Sequence, residues 1–273
     1  MTELASRDRT HPPTETVRQA AARIEAAVRT RRPCAPVRDL IGADDVHAAY
    51  AVQELLTEAR VAAGAVVVGR KIGLTSEAVQ RQLGVDRPDF GVLFDDMRYG
   101  EDDLVPMDRL LQPKVEAEIA FVLAEDLAEG PLDAGRIRAA VAHAVPALEI
   151  VDSRVADWDI SFADTVADNA SSGLFVLGGA TVPLSDVEPV QTKMTMTIDG
   201  TTVSTGSGAA CLKDPLHALR WLAVTARDFG QPLRAGQVVL SGALGPMAPV
   251  EPGNVVTAHI SELGSVTARF GPA

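Results

Sequence analysis

The chain has 273 residues, 47% of them apolar, and a formal charge of −12. That length and apolar fraction suit one large domain, or one domain with an N-terminal appendage, and the charge argues against nucleic acid or an anionic membrane surface as a partner. The longest apolar run, Val61 to Gly69, is far too short to cross a bilayer, the polar N-terminus carries no signal-peptide pattern, and Cys34 and Cys211 make no disulfide framework, so a reducing cytoplasm is the expected location.

Residues 1 to 13 are polar, end in Pro-Pro and are expected to fray. From Thr14 the spacing predicts a helix with Val17, Ala21, Ile24 and Val28 on one stripe, stopped by Pro33. Asp44 is the expected cap of a second helix with a buried stripe of Val46, Ala49, Val52, Leu56 and Ala59. His47 and Glu54 lie seven apart on that helix and read as surface or packing residues. A short apolar run, Ala65 to Val68, then enters GRKIGLTS as a strand, a turn and a new helix capped by Thr75 or Ser76 and running to about Leu83. Lys71 sits there between apolar neighbours and Gly73; a partly desolvated lysine can orient a carboxylate or transfer a proton, and a snorkelling surface lysine fits the local pattern as well. Gly84 to Phe94 reads as loop, with Asp89 either a turn former or a catalytic group.

The stretch LQPKVEAEIAF, Leu111 to Phe121, reads as a strand. Side chains alternate faces with period two, so Glu116 and Glu118 point the same way. Paired carboxylates on an apolar strand repel and resist dehydration, which invites a hard divalent cation, although the wet face of an edge strand gives the same pattern. Asp133 is the expected cap of a helix with Ile137, Val141 and Ala144 inward, ended by Pro146, and ALEIVDSR follows as a strand. Glu149 lies within that apolar run and is costly there unless paired or metal-bound. Two Glu from one strand and one from a neighbour supply three oxygen ligands, which suits Mg²⁺ or Mn²⁺; nothing resembles a Cys/His zinc cluster.

Residues 157 to 173 are acidic and long for a connector; Asp168, Asn169 and Ser171 can meet a ligand or simply form turns. The last third is mainly β, with an Asp199-Gly200 hairpin turn and one helix capped by Asp214, opened by Pro215 and closed by Gly230. The strand Gln237 to Leu240 runs into SGALGP, a glycine-rich turn that lets backbone N–H groups, at Gly242 and Leu244, approach a ligand. A hairpin of Val255 to Ile260 and Ser265 to Phe270 ends the chain.

Together, GRKIGLT, LGVDRPDFGVLFDDM, PKVEAEIAF, PALEIVDSR, DTVADNASSG and SGALGPM resemble the 2-keto-4-pentenoate (2-hydroxypenta-2,4-dienoate) hydratases of the fumarylacetoacetate hydrolase superfamily. The resemblance runs from about Gly69 to Phe270. It implies an α+β fold: a curved, mixed β-sheet roll with outer helices over residues 66–273, after an N-terminal helical segment, 1–65. It implies a homo-oligomer, with a downstream aldolase or a sister decarboxylase as further possible partners, and a divalent cation on Glu116, Glu118 and Glu149. Lys71 and Asp89 map to the catalytic lysine and aspartate, while Asn169, Ser171, Gly242 and Leu244 are the expected substrate contacts. Arg70 departs from the family pattern, in which an aromatic or aliphatic residue is common, so the resemblance leaves the detail at the substrate's edge open but not the chemistry. The implied reaction adds water to 2-hydroxypenta-2,4-dienoate to give 4-hydroxy-2-oxopentanoate in meta-cleavage catabolism of aromatic or steroid rings. The rivals are 4-oxalocrotonate decarboxylation, acylpyruvate hydrolysis and an inactive partner subunit.

Overall fold

The computed structural model describes residues 13–76, 80 and 87–272. The N-terminal stretch expected to fray, and most of the helix expected up to Leu83, lie outside those residues.

Helix α1 (Glu15–Thr30) is capped by the Thr14 side chain, which accepts from the Val17 N–H. Val17, Ala21 and Ile24 are buried as the spacing requires, but Val28 faces an open groove and stays 59% exposed. After the short α2 (Arg38–Ile41), helix α3 (Val46–Ala62) is capped by Asp45 rather than Asp44, through a bond from the Ala48 N–H. Its buried positions are Ala49 to Gln53; Leu56 is only partly buried and Ala59 is exposed, both on the wall of an open groove.

Strands β1 (Val67–Gly73) and β2 (Asp89–Phe94) pair antiparallel, with Gly73 opposite Asp89. The stretch read as loop is therefore a strand from Asp89 onward. All six of its residues are buried, and burial on both faces removes the alternation that marks a half-exposed strand. Next come β3 (Arg98–Tyr99), β4 (Leu104–Val105) and the long β5 (Pro113–Leu123). Helix α4 (Ala134–Ala139) is capped by Asp133 as expected but ends well before Pro146. Val141 and Ala144 instead belong to β6 (Val141–Asp152), which runs straight through the proline. Pro146 is tolerated because the ladder with β7 starts only at Ala147, while its carbonyl still accepts from the Gly178 N–H.

The acidic connector folds as well. Helix α5 (Phe162–Ala167) opens with a capping box between Ser161 and Asp164, and β7 (Ser172–Leu177) follows. Strands β8 (Lys193–Ile198) and β9 (Thr201–Ser207) form the expected hairpin, with positive φ at Asp199 and Gly200. Helix α6 (Pro215–Asp228), β10 (Val238–Ala243), β11 (Ala248–Pro249), β12 (Val255–Ile260) and β13 (Gly264–Phe270) complete the chain.

The strands form two mixed sheets. One runs β2-β1-β10-β5-β6-β7-β3, with β11 also on β5, and the other runs β4-β13-β12-β8-β9. Strands β12 and β13 pack across β6, so β5 and β6 are sealed on the apolar side by Ala117, Ile119, Phe121, Leu148 and Ile150, all at most 1% exposed. Outside the large sheet, α3 and α6 bring Tyr50 and Phe229 onto Phe90, with ring centroids 4.7 and 5.7 Å from it. No helix among the described residues is long and apolar enough to cross a membrane.

Candidate active site

The site grows from register. Glu149 on β6 stands directly opposite Glu116 on β5, and Glu118 follows two residues on, so period-two alternation places all three on one face. Carboxylate oxygens from the three lie within 4.8 Å of one another. Glu118 and Glu149 are 0 and 1% exposed, and Glu116 only 9%. Burial first, then repulsion from Glu149, pushes the Glu116 carboxyl up to about 7. Burial also raises Glu118, helped by Glu149 and Glu116, and raises Glu149 against the pull of Lys71.

Lys71 enters from β1, whose alternation turns Arg70 and Ile72 to the opposite face. Its ammonium is 4% exposed, 3.1 Å from Glu149 Oε1, and donates to the Ala170 carbonyl at 2.9 Å. Burial alone would push this lysine down, but Glu149, Asp89, Glu116 and Glu118 outweigh it and raise it. Four acids therefore face one ammonium. The surplus negative charge is what a divalent cation neutralises, and the oxygens to receive one are present: Glu118 Oε1 and Glu149 Oε2 are buried without a hydrogen-bond partner among the described residues. The residues fit a hard divalent ion.

Asp89 starts β2 beside Lys71. Its Oδ2 accepts from Thr165 Oγ1 at 3.3 Å, Oδ1 has no partner, and burial pushes the carboxyl up to about 6. Gly73 opposite leaves room for it: a Cβ there would stand 2.2 Å from Asp89 Oδ1 and 3.4 Å from Lys71 Nζ. Ser171 Oγ lies 3.4 Å from Thr165 Oγ1, completing a short hydroxyl chain behind Asp89.

Two backbone irregularities support this cluster. The ladder of β10 on β5 slips between Leu240 and Ala243, and in that bulge the Gly242 N–H donates to Glu118 Oε2 at 2.7 Å. Gly242 has φ +114, and a Cβ would collide with Thr75 at 2.4 Å, so only glycine fits. The second is a left-handed turn of three non-glycine residues, Asn169, Ala170 and Ser171, with φ between 51 and 56°. Such backbone is costly and persists only where its surroundings fix it. Arg154 supplies that: its Nε donates to Asp168 Oδ1 at 2.5 Å, and its other nitrogens reach the carbonyls of Asp168, Asp152 and Ser172.

The cluster opens into a cavity of about 210 Å³ lined by Lys71, Asp89, Glu116, Trp158, Ser171 and Met247, among others. Lys114 Nζ lies 4.2 Å from the centre of the Trp158 ring at its wall. A larger cavity, about 520 Å³, lies elsewhere, beneath α1 and α3, and holds none of Lys71, Asp89 and the three glutamates. Its arginines Arg31, Arg60, Arg109 and Arg154 are spent on Asp108, Asp96 and Asp168, so the chemistry belongs to the smaller cavity.

The structure brings the sequence candidates Lys71, Asp89, Glu116, Glu118, Glu149 and Ser171 into one cluster, but it does not bring all of the candidates to the cavity. Asn169 clasps Val92 with both ends of its amide and lines the larger cavity. Leu244 is fully buried, its N–H on the Ala117 carbonyl and its own carbonyl on the Ser207 N–H. Gly242 meets Glu118 rather than the open space. Arg70 points to the outer face of the sheet and does not line the cavity at the carboxylate cluster. Sequence reasoning missed Thr165, the Ala170 carbonyl, Lys114 and Trp158; the motifs around them were visible, but which atoms converge was not.

The family model described as Fumarylacetoacetate (FAA) hydrolase C-terminal matches residues 46–271. The chain belongs to the fumarylacetoacetate hydrolase family. It is 53% identical over 260 residues to the TodF product hydratase of Pseudomonas putida F1, covering 95% of this chain and 97% of that protein. It is 51% identical over 252 residues to the 2-keto-4-pentenoate hydratase of Paraburkholderia xenovorans LB400, covering 92 and 94%. Among solved structures it is similar to the 4-oxalocrotonate decarboxylase of Pseudomonas putida G7 complexed with magnesium and adipate, with a TM-score of 0.89 and 34% identity over 94% of this chain and 97% of that one. These likenesses bear out the curled, mixed-sheet fold expected from the motifs.

Proposed function

We infer that this chain is a 2-keto-4-pentenoate hydratase, a hydro-lyase of meta-cleavage aromatic catabolism that converts 2-hydroxypenta-2,4-dienoate to 4-hydroxy-2-oxopentanoate. The observation that carries the reading is a chain more than half identical to such hydratases that also keeps Lys71 and Asp89 side by side above three buried glutamates. The decarboxylase is the more distant relative at 34%.

Glu116, Glu118 and Glu149 are the residues to hold Mg²⁺ or Mn²⁺, which when bound supplies Lewis-acid stabilisation of negative charge on the substrate's C2 oxygen. Atom balance requires the enol O–H proton to leave, a proton to reach C5, and water then to give its hydroxyl to C4 and a proton to C3. Lys71, held charged by Glu149 and aimed by the Ala170 carbonyl, stabilises the dienolate's negative charge. Asp89, on the cavity wall, is the proton carrier: Thr165 fixes one oxygen and the other has no partner among the described residues. Trp158, Val151, Ile160 and Met247 give the cavity an apolar wall that suits the hydrocarbon end and limits stray water. At about 210 Å³ it is smaller than the roughly 300–1,000 Å³ of drug-sized sites, in keeping with a five-carbon substrate.

The resemblance also implies a homo-oligomer. The test of function is loss of the dienoate's ultraviolet absorbance with Mg²⁺ or Mn²⁺ and a chelated control, with 2-oxohex-3-enedioate run in parallel. Hydration to 4-hydroxy-2-oxopentanoate supports the reading; CO₂ release without hydration moves the chain to the decarboxylases.

A further inference from the structure

Arg70 is the charged residue of the GRKIGLT motif that the active site does not use. It lies on the outer face of β1, 5% exposed, beneath α3 and α6. Its Nη2 donates to Gln231 Oε1 at 2.9 Å and its Nη1 to the Gly69 carbonyl at 3.1 Å, both neutral acceptors. Its Nε is buried with no partner, and no carboxylate pairs with it among the described residues. The other buried arginine among the described residues behaves differently: Arg154, 9% exposed, is locked onto Asp168.

A guanidinium taken out of water without a counter-ion is expensive, because the lost hydration is repaid by nothing of opposite charge. Burial by itself pushes Arg70 down to about 10, and even there it stays charged at neutral pH. Beside it is a cavity of about 30 Å³, walled by Tyr50, Gln53, Phe90 and Phe229, with Gln231 at its edge and the exposed His47 and half-buried Glu54 toward solvent. That volume holds one small ion or a water or two and excludes a phosphate or a dienoate. We propose that this cavity is a binding site for a small monovalent anion of chloride size, held by Arg70 between β1, α3 and α6. The ion neutralises the buried guanidinium, takes the unused Nε–H and ties the two outer helices to the strand that carries Lys71.

The test uses the full chain with Mg²⁺ present. Thermal unfolding is followed as sodium gluconate is exchanged for sodium chloride or bromide at fixed ionic strength, so that general screening is constant. Halide should raise the Tm of the wild type saturably, and Arg70→Gln should abolish that dependence. A crystal soaked in sodium bromide should show an anomalous peak within hydrogen-bond reach of Arg70 Nε, a result that does not depend on the variant folding. Equal Tm in gluconate and halide, or a carboxylate from a second copy seated on Arg70 in the crystal, would overturn the proposal. So would a bromide peak without halide stabilisation in solution, which is an adventitious ion only.

Discussion

Glu116→Gln should make the metal-free protein more stable while abolishing its response to the metal. Glu116 is 9% exposed, and burial together with Glu149 holds its carboxyl at about 7 against an ordinary 4.5. The native state therefore keeps this proton over a range in which the unfolded chain has lost it. Stability falls where the native state binds more protons, so the loss builds as pH rises from the unfolded value toward 7 and is complete above it. A difference of about 2.5 pH units corresponds to ~3 kcal/mol. An uncharged glutamine of the same shape avoids that loss, so in chelator the variant should exceed the wild type by up to ~3 kcal/mol near pH 8, or roughly 6 °C in Tm, and match it near pH 4. With saturating Mg²⁺ the order should invert, because the wild type gains and the variant has lost a ligand. Urea or thermal unfolding at the two pH values, with and without Mg²⁺, decides it. A variant less stable than the wild type at pH 8 in chelator, or a gap that does not change with pH, would refute the argument that unneutralised charge dominates this cluster.

Chelation of divalent metal should abolish dienoate hydration and leave the far-ultraviolet circular dichroism unchanged, since the fold's core lies on the other side of β5 and β6. Lys71→Met should lower kcat by a factor on the order of 10²–10⁴ in a hydration assay while the protein still folds. Gly73→Ala places a methyl 2.2 Å from Asp89 Oδ1, so kcat should drop sharply while Mg²⁺ still raises the Tm; unchanged kcat would remove Asp89 from the mechanism. Arg154→Met strands the fully buried Asp168 carboxylate and should cost about 3–5 kcal/mol in urea unfolding, much of it recovered by adding Asp168→Leu.

The sequence by itself determined the three glutamates, because charged residues at period-two spacing within apolar runs have few physical explanations. It also determined three helix starts: Asp133 and Asp214 cap where expected, and the helix expected from Thr14 begins there, since a cap is a local hydrogen bond. It misread β2 and the first half of β6, where strands buried on both faces lose alternation and Pro146 looks like a terminator. Only the tertiary structure decided which polar atoms meet. The register of β5 on β6 put Glu149 opposite Glu116, and the bulge in β10 turned Gly242 onto Glu118. The left-handed turn held by Arg154 aimed Asn169 at Val92 and the Ala170 carbonyl at Lys71. It also decided that adjacent Arg70 and Lys71 face opposite sides of one strand, one toward the carboxylates and one toward a cavity with none paired to it. These are contacts between residues 33 to 161 apart in the chain, set by strand pairing and packing that no local pattern of side chains encodes.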